Sequence, residues 1–368
     1  MKISPFKLER YFAKYEFSAK YMLSSSDCDG FRMNDILSMS TIEELKIWQN
    51  LQLGYTESQG LPILRDEITK LYSTISSDDV MVLTPEEGVF VALNSILSKD
   101  DHVICIAPSY QSLHQVVRSI GCDIIFWLPD EEKGWYFDPN DIEKAIRPNT
   151  RLIIVNFPHN PTGYLPSLHD FQRIIDIAKE NNLILFSDEM YRYLEHDSEL
   201  RLPSASDLYP NAVSLSGLSK TFGLAGLRIG WLATKNQELL QEMLAFKDYT
   251  TICNSAPSEV LALIGLRHKE SLVGHNLKKI RLNLNLLDEF IQKHAHILSW
   301  NKPKAGTIGL AKLNIDFPSE VFCERIVKDT GIMIVPSEVF DYGDKHIRLG
   351  FGRVNLPEVL DLFSKSIR

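Results

Sequence analysis

Short runs of apolar residues alternate with longer amphipathic stretches between residues 80 and 235. The apolar runs predict strands over 80–84, 102–107, 122–128, 151–157, 183–188, 212–216 and 228–234. Apolar residues recur at helical spacing in 85–97, 110–121 and 168–182 and predict helices there. Because the strands do not alternate polar with apolar positions, we expect a mostly parallel sheet between helices, an α/β fold.

The C-terminal third has a different pattern. Long helical stretches over 258–296 precede two strand-like segments, GTIGLAKLNI (306–315) and HIRLGF (346–351). We therefore predict a large domain over residues 46–255 and a smaller α+β domain over 256–368. Residues 1–45 are expected to form an N-terminal arm and part of the small domain.

Composition and charge narrow the classes of function. The 368 residues are 44% hydrophobic and 24% charged, and the net charge of −9 argues against general binding to nucleic acid or anionic membranes. The five cysteines form no CxxC pair, which gives little support for a metal site or a disulfide framework and fits a reducing compartment. Neither a signal peptide nor a membrane-spanning apolar run is predicted, so the expected location is the cytoplasm.

Polar side chains follow five of the predicted strands at their carboxyl ends, where open α/β sheets bind ligands. Taken singly, each has an ordinary explanation, such as a helix cap for an acid or a turn for HNPTG (159–163). Together they bring an acid, an amide, two tyrosines and a lysine to one edge of one sheet. These side chains are Asp188, Asn160, Tyr110, Tyr191 and Lys220, which follow four of the strands, while Thr84 ends the fifth.

This set resembles the fold-type I pyridoxal-phosphate-dependent enzymes, specifically the class I/II aminotransferases. The resemblance runs from LGYTESQGLPILRDEI (53–68) to HIRLGF, and its most specific parts are HNPTG, SDEMY (187–191) and SKTFGLAGLRIGW (219–231). It implies the cofactor pyridoxal 5′-phosphate. It also implies an aminotransferase that exchanges an amino group between an L-amino acid and a 2-oxo acid by a ping-pong mechanism.

Two charges stand in an otherwise uncharged segment between Asn211 and Thr234. Burial would lower the pKa of Lys220 and favour the neutral amine, the form that reacts with an aldehyde. By resemblance, Lys220 forms the Schiff base with the cofactor, and Arg228 binds the phosphate with its forked donors. Tyr55 matches a family tyrosine that reaches the phosphate of the neighbouring subunit, which implies a homodimer with shared active sites.

The remaining roles agree with both the chemistry and the family. Asp188 is expected to pair with the pyridine nitrogen and keep it protonated, so that the ring accepts electrons. Asn160 and Tyr191 are expected to hydrogen-bond the phenolic oxygen, and Tyr110 to stack on the ring face. Arg348 is expected to bind the substrate α-carboxylate bidentately, and Asn160 is a second candidate for binding the substrate.

One position near the expected phosphate site departs from the family. Relatives often carry Ser or Thr three residues before the lysine, where this chain has Gly217. Ser216 and Ser219 are the candidates for the missing hydroxyl.

The second departure is TPEEG (84–88), at the predicted start of a helix. The segment has the pattern of a capping box with proline at the first helical position, and a helix N-terminus favours phosphate. Pro85 has no N–H to donate, and two carboxylates in the first turn oppose a dianion. The backbone N–H groups of Glu86 and Glu87 are expected to bind the phosphate if their side chains point away.

The family's amino-terminal substrate loop falls in LSSSDCDGFR (23–32), whose triple serine matches no particular substrate. Arg32 is either an exposed loop residue or a binder of a side-chain carboxylate.

Other functions compete with the aminotransferase. A lyase or cyclase on the same scaffold would use the same lysine motif for β-elimination or replacement. A non-catalytic relative is a third possibility, either a regulator or a pseudo-enzyme that has lost phosphate binding at TPEEG. A nicotinamide dehydrogenase is disfavoured because GLAGLRIG (223–230) follows a lysine and lacks GxGxxG spacing after a first strand.

Overall fold

A seven-stranded sheet and a four-stranded sheet organise the structure, a computed structural model that describes residues 2–367. The strands are β1 (Tyr21–Met22), β2 (Val80–Leu83), β3 (His102–Ile106), β4 (Asp123–Trp127), β5 (Thr150–Asn156), β6 (Ile184–Asp188), β7 (Ala212–Gly217), β8 (Gly230–Ala233), β9 (Leu298–Trp300), β10 (Ile308–Leu313), β11 (Ile332–Met333), β12 (Val335–Pro336) and β13 (His346–Gly350). The α-helices are α1 (Lys7–Tyr15), α2 (Met33–Met39), α3 (Ile42–Gln49), α4 (Pro62–Thr69), α5 (Pro85–Ile96), α6 (Ser112–Ile120), α7 (Pro139–Ala145), α8 (Leu168–Glu180), α9 (Ala205–Leu208), α10 (Gln237–Lys247), α11 (Ala256–Arg267), α12 (Lys269–Lys293), α13 (Ser319–Thr330) and α14 (Leu356–Ser366).

The large sheet has the order β2-β8-β7-β6-β5-β3-β4. Its strands are parallel except β8, which runs antiparallel to both β7 and β2. The mostly parallel α/β fold predicted from the sequence is confirmed. The carboxyl ends of β2, β3, β5, β6 and β7 therefore meet at one edge.

Both faces of this sheet are buried, which explains the apolar runs without alternation. Along β3, Val103 and Cys105 pack into one apolar cluster with residues of α5 and α6. The intervening Ile104 and Ile106 pack into another with residues of α8. Successive side chains of the strand thus face the helices on opposite sides of the sheet. Because both sides are buried, every position needs an apolar residue.

The smaller sheet is antiparallel, in the order β12-β13-β10-β9. Arg348 lies in the middle of β13, opposite Leu310 of β10 and Val335 of β12. The amino-terminal segment joins this part of the molecule, because β1 pairs in parallel with β11 through Tyr21 and Ile332. The domain boundaries at residues 45 and 255 stay a prediction. Across residues 2–367, no helix combines the length and the apolar character needed to cross a bilayer.

Candidate active site

The carboxyl edge of the large sheet gathers the residues that the sequence singled out. Asn156, the last residue of β5, lies beside Asp188, the last residue of β6. The loop after β5 carries Asn160, whose backbone N–H donates to Asn156 Oδ1 at 2.9 Å. The strand β7 leads into the turn that holds Lys220. These neighbouring strand ends deliver an acid, an amide and an amine to one region.

Lys220 is partly buried, and its Nζ donates to Ser26 Oγ at 2.9 Å. Burial is the main cause that lowers the pKa of this amine, and the charges of Arg348 and Arg228 lower it further. The carboxylates of Asp27 and Glu9 act in the opposite direction. The environment therefore favours the neutral, nucleophilic amine, as the sequence predicted.

Asp188 is a buried carboxylate, with only 7% of its surface exposed. Its Oδ1 accepts a hydrogen bond of 3.1 Å from the Met190 N–H. Burial raises the pKa of Asp188 to about 7, while Lys220 lowers it. A buried acid with this environment is suited to a cationic ring nitrogen, which would restore its charged form.

Arg348 is fully buried, and its hydrogen-bond partners among residues 2–367 are neutral groups. One terminal nitrogen donates to Asn160 Oδ1 at 3.3 Å and the other to the Ser24 carbonyl at 2.9 Å, while Nε has no partner among the described residues. The ring centroids of Phe12 and Phe340 lie 5.9 and 5.3 Å from its guanidinium carbon. An unpaired guanidinium enclosed in this way is suited to bind a carboxylate.

The two predicted tyrosines contact the amino-terminal part of the chain. Tyr191 is buried, and its hydroxyl donates to the Ser26 carbonyl at 3.1 Å. The Tyr110 hydroxyl donates to Glu9 Oε1 at 2.8 Å, and its ring centroid lies 4.9 Å from that of Phe6. Burial raises the pKa of both phenols, so both remain protonated donors at neutral pH.

Arg228 occupies the left-handed region with φ 54° in the turn between β7 and β8. Its side chain is exposed and donates to the Ala225 carbonyl at 3.1 Å. The Thr84 hydroxyl donates to the Arg228 carbonyl at 3.0 Å, which ties this turn to the start of α5.

Ser219 is buried with no partner for its hydroxyl within the described chain, whereas Ser216 is half-buried. Ser219 is therefore the better placed of the two serines for a buried anion.

The capping box predicted for residues 84–87 is wrong, because Thr84 bonds to the Arg228 carbonyl instead of capping α5. The Glu87 carboxylate accepts hydrogen bonds from the hydroxyls of Thr250 and Thr251. Glu86 accepts one from the Ser112 hydroxyl at 3.3 Å. Both carboxylates are engaged by other side chains, and the first N–H that bonds back within the helix is that of Gly88. The N–H groups of Glu86 and Glu87 precede it in the first turn, where they have no partner within the helix.

Gly217 lies against Pro85 and Gly230. A Cβ at position 217 would meet Gly230 Cα and Pro85 Cγ at 3.1 Å each. At position 230 it would lie 2.6 Å from the Ser216 carbonyl oxygen and 2.7 Å from Pro85 Cγ. The Pro85 ring occupies the space beside both glycines. Gly217 and Pro85, which both depart from the family pattern, therefore belong to the same packing contact.

Tyr55 lies outside this group of residues, with 93% of its surface exposed. Its predicted contact with the phosphate of a neighbouring subunit stays a prediction.

A family model described as aminotransferase class I and II matches residues 20–361. The chain belongs to the class I and II aminotransferase family. Capreomycidine synthase from Streptomyces vinaceus is 27% identical to this chain over 357 residues. The match covers 94% of this chain and 88% of that protein.

Two solved structures extend the comparison. A PLP-dependent aminotransferase from Streptococcus suis 89-1591 superposes on this aminotransferase-family chain with a TM-score of 0.93 at 28% identity, covering 99% of this chain and 98% of the other. The PLP-dependent cyclase OrfR superposes with a TM-score of 0.91 at 26% identity, covering 100% and 98%. The protein is therefore a pyridoxal-phosphate-dependent enzyme of fold type I, and the predicted cofactor is confirmed.

The residues of this aminotransferase-family site fit the cofactor. A lysine whose pKa is lowered by burial suits the aldehyde, and the buried acid Asp188 suits the ring nitrogen. The Ser219 hydroxyl, which has no partner among residues 2–367, lies one residue from Lys220 in the turn that also carries Arg228.

Sequence reasoning missed three contacts in this site. Ser26 bonds to Lys220, Glu9 bonds to Tyr110, and the Thr307 hydroxyl donates to the Ser26 carbonyl at 2.9 Å. The triple serine was the one visible signal. Only the fold shows that this loop reaches the lysine.

Proposed function

We propose that the protein is an aminotransferase that exchanges an amino group between an L-amino acid and a 2-oxo acid. The observation that carries the proposal is the position of Lys220, whose pKa is lowered by burial, near the acid Asp188 and the unpaired cation Arg348. Amine, acid and guanidinium are the three groups needed to hold the cofactor aldehyde, the cofactor ring and the substrate carboxylate.

Each of these residues has a distinct task. Pyridoxal phosphate, when bound, supplies an aldehyde that combines with amines and a ring that accepts electrons. Lys220 would hold the aldehyde and, once released by the substrate amine, take the proton from the substrate Cα. Asp188 would hold the ring nitrogen, and the Asn160 side-chain amide would donate to the phenolic oxygen. The Tyr191 hydroxyl would donate there too once the bound cofactor draws it from the Ser26 carbonyl.

Substrate and phosphate are held by separate groups. Arg348, positioned by its bond to Asn160, would grip the α-carboxylate and so fix the Cα–H bond relative to Lys220. Tyr110 would cover the ring face. The groups proposed for the phosphate are Arg228, the hydroxyls of Ser219 and Ser216, the N–H groups of Glu86 and Glu87, and Tyr55 of a second subunit.

We further propose a homodimer. Leu53, Tyr55 and Tyr249 are 84%, 93% and 91% exposed, an unusual exposure for large apolar or aromatic side chains. A second copy that covers them would bring Tyr55 towards the other active site. Sedimentation of the purified chain measures the oligomeric state, and a monomer at micromolar concentration would contradict the shared site.

The decisive test of function has two parts. Borohydride reduction of the cofactor-loaded protein, followed by peptide mapping, should label Lys220 and leave a Lys220→Ala variant unlabelled. A panel of amino acids is then added, each with and without a 2-oxo acid acceptor. Turnover that depends on the acceptor, with parallel lines in double-reciprocal plots, is expected for transamination.

A lyase or cyclase is the second candidate, favoured by the 27% identity to capreomycidine synthase and the fold match to a PLP-dependent cyclase. In this reaction the same Cα proton would be removed, but a β-substituent would leave. Pyruvate and ammonia released from a β-substituted amino acid, or a cyclised product, formed without an added 2-oxo acid acceptor would favour this candidate over transamination.

A further inference from the structure

The serine loop, residues Ser24–Ser26, is fixed in place by its backbone. The Leu23 carbonyl accepts from the Gly350 N–H at 2.7 Å, and the Leu23 N–H donates to the Met333 carbonyl at 2.9 Å. A Cβ at Gly350 would lie 2.3 Å from the Ser25 carbonyl oxygen, so only glycine at that position allows the loop to lie this close to β13. The loop is therefore held against the strand that carries Arg348.

Three side chains of the site hold the carbonyls of the same loop. Arg348 donates to the Ser24 carbonyl at 2.9 Å. Tyr191 and Thr307 both donate to the Ser26 carbonyl, at 3.1 and 2.9 Å. In the cofactor-free chain these two donors fix the orientation of Ser26, and its hydroxyl lies 2.9 Å from Lys220 Nζ.

We propose that Ser26 is a positioning residue for Lys220. Its hydroxyl accepts a hydrogen bond that holds the amine near Arg348, the proposed substrate-binding residue, and Asp188, the proposed partner of the cofactor ring. The inference rests on the proposed role of Lys220. An amine on a four-carbon chain has many rotamers, and a fixed acceptor selects one of them. The acceptor also favours the protonated amine, so Ser26 would assist Lys220 when it holds the Cα proton.

Charged groups around Lys220 also affect its pKa. Asp27, Glu9, Glu16 and Asp188 favour its protonated form, whereas the cations Arg348 and Arg228 disfavour it. None of these groups changes in a substitution at position 26, so a shift can be assigned to the lost hydroxyl.

The test measures the pKa of Lys220 in the full-length chain freed of cofactor. Trace acetylation with acetic anhydride over a range of pH, quantified by mass spectrometry of the Lys220 peptide, gives the midpoint. Ser26→Ala should lower the midpoint by about one pH unit, because an acceptor of the charged form is lost. Ser26→Thr, which keeps the hydroxyl, should retain the wild-type midpoint. The matched control Ser25→Ala should also retain it.

An unchanged or raised midpoint in Ser26→Ala would overturn the proposal. So would a Ser26→Thr variant that behaves like Ser26→Ala, because space rather than the hydroxyl would then be responsible. Borohydride trapping of the cofactor on wild-type Lys220 tests the proposed function separately. If trapping fails, that function fails, while the acetylation midpoint still decides whether Ser26 holds the amine.

Discussion

Asp188→Asn is expected to stabilise the cofactor-free protein while weakening its function. The buried carboxyl has a pKa of about 7, raised mainly by burial. Between about pH 4 and pH 7 the folded chain therefore holds a proton that the unfolded chain has lost. The free energy of unfolding of the wild type falls as pH rises through this window, by ~1.4 kcal/mol per pH unit and by about 4 kcal/mol in total.

Asparagine does not ionise, so the variant escapes this loss. Its side-chain oxygen can still accept the hydrogen bond that the Met190 N–H gives to Asp188. Without cofactor, the variant should gain little near pH 4 and about 4 kcal/mol at pH 8, equivalent to a melting temperature roughly 5 °C higher for a chain of this length. Thermal unfolding at several pH values measures this gain. The exposed control Asp361→Asn should show no such trend.

Cofactor binding should respond in the opposite direction. Loss of a charge-assisted hydrogen bond to the ring nitrogen should weaken pyridoxal phosphate binding by about 10- to 100-fold and slow turnover further. A stability gain equal at pH 4 and pH 8 would refute the assignment of a buried acid with a raised pKa. Unchanged cofactor affinity would refute its proposed contact with the ring.

Three further predictions concern the rest of the site. Arg348→Lys should lower kcat/KM by about 100-fold in steady-state assays, because a point charge does not replace two parallel hydrogen bonds to a carboxylate, and an unchanged value would contradict that contact. Burial raises the pKa of Glu86 to about 7, so Glu86→Gln should bind cofactor several-fold more tightly than wild type at pH 8 and equally at pH 6, as measured by fluorescence titration. Tyr55→Phe should weaken cofactor binding by about 10-fold without changing the thermal stability of the cofactor-free chain, whereas equal affinity would remove Tyr55 from the phosphate site.

The large sheet was predictable because local pattern and burial agree there. Each of its seven strands was expected within two residues of its observed bounds, since strands buried on both faces need continuous apolar residues. The antiparallel course of β8 was not predicted. Strand direction depends on how the turn around Arg228 reverses the chain, and the apolar run alone carries no information about direction.

Shorter elements were harder to predict. The helix α7 begins in YFDPND, where the Asp138 side chain caps Asn140 and Pro139 takes the first helical position. This signal was present in the sequence, but seven residues are too few for a clear helical period. The contact between the amino-terminal loop and Lys220 could not be predicted from the sequence for a different reason. This contact joins residues 194 positions apart and depends on the pairing of β1 with β11.

Two residues near the proposed phosphate site, Pro85 and Gly217, each lack a hydrogen-bond donor, and they pack against each other. Pro85 removes an N–H from the helix start, and Gly217 removes a hydroxyl from the strand end. A side chain at position 217 would meet the ring of Pro85, so either change makes the other acceptable. The hydroxyl of Ser219 is buried without a partner in the described chain, and the carboxylates of Glu86 and Glu87 bond to other side chains. We therefore expect phosphate binding to shift towards Ser219 and Arg228 rather than to be lost.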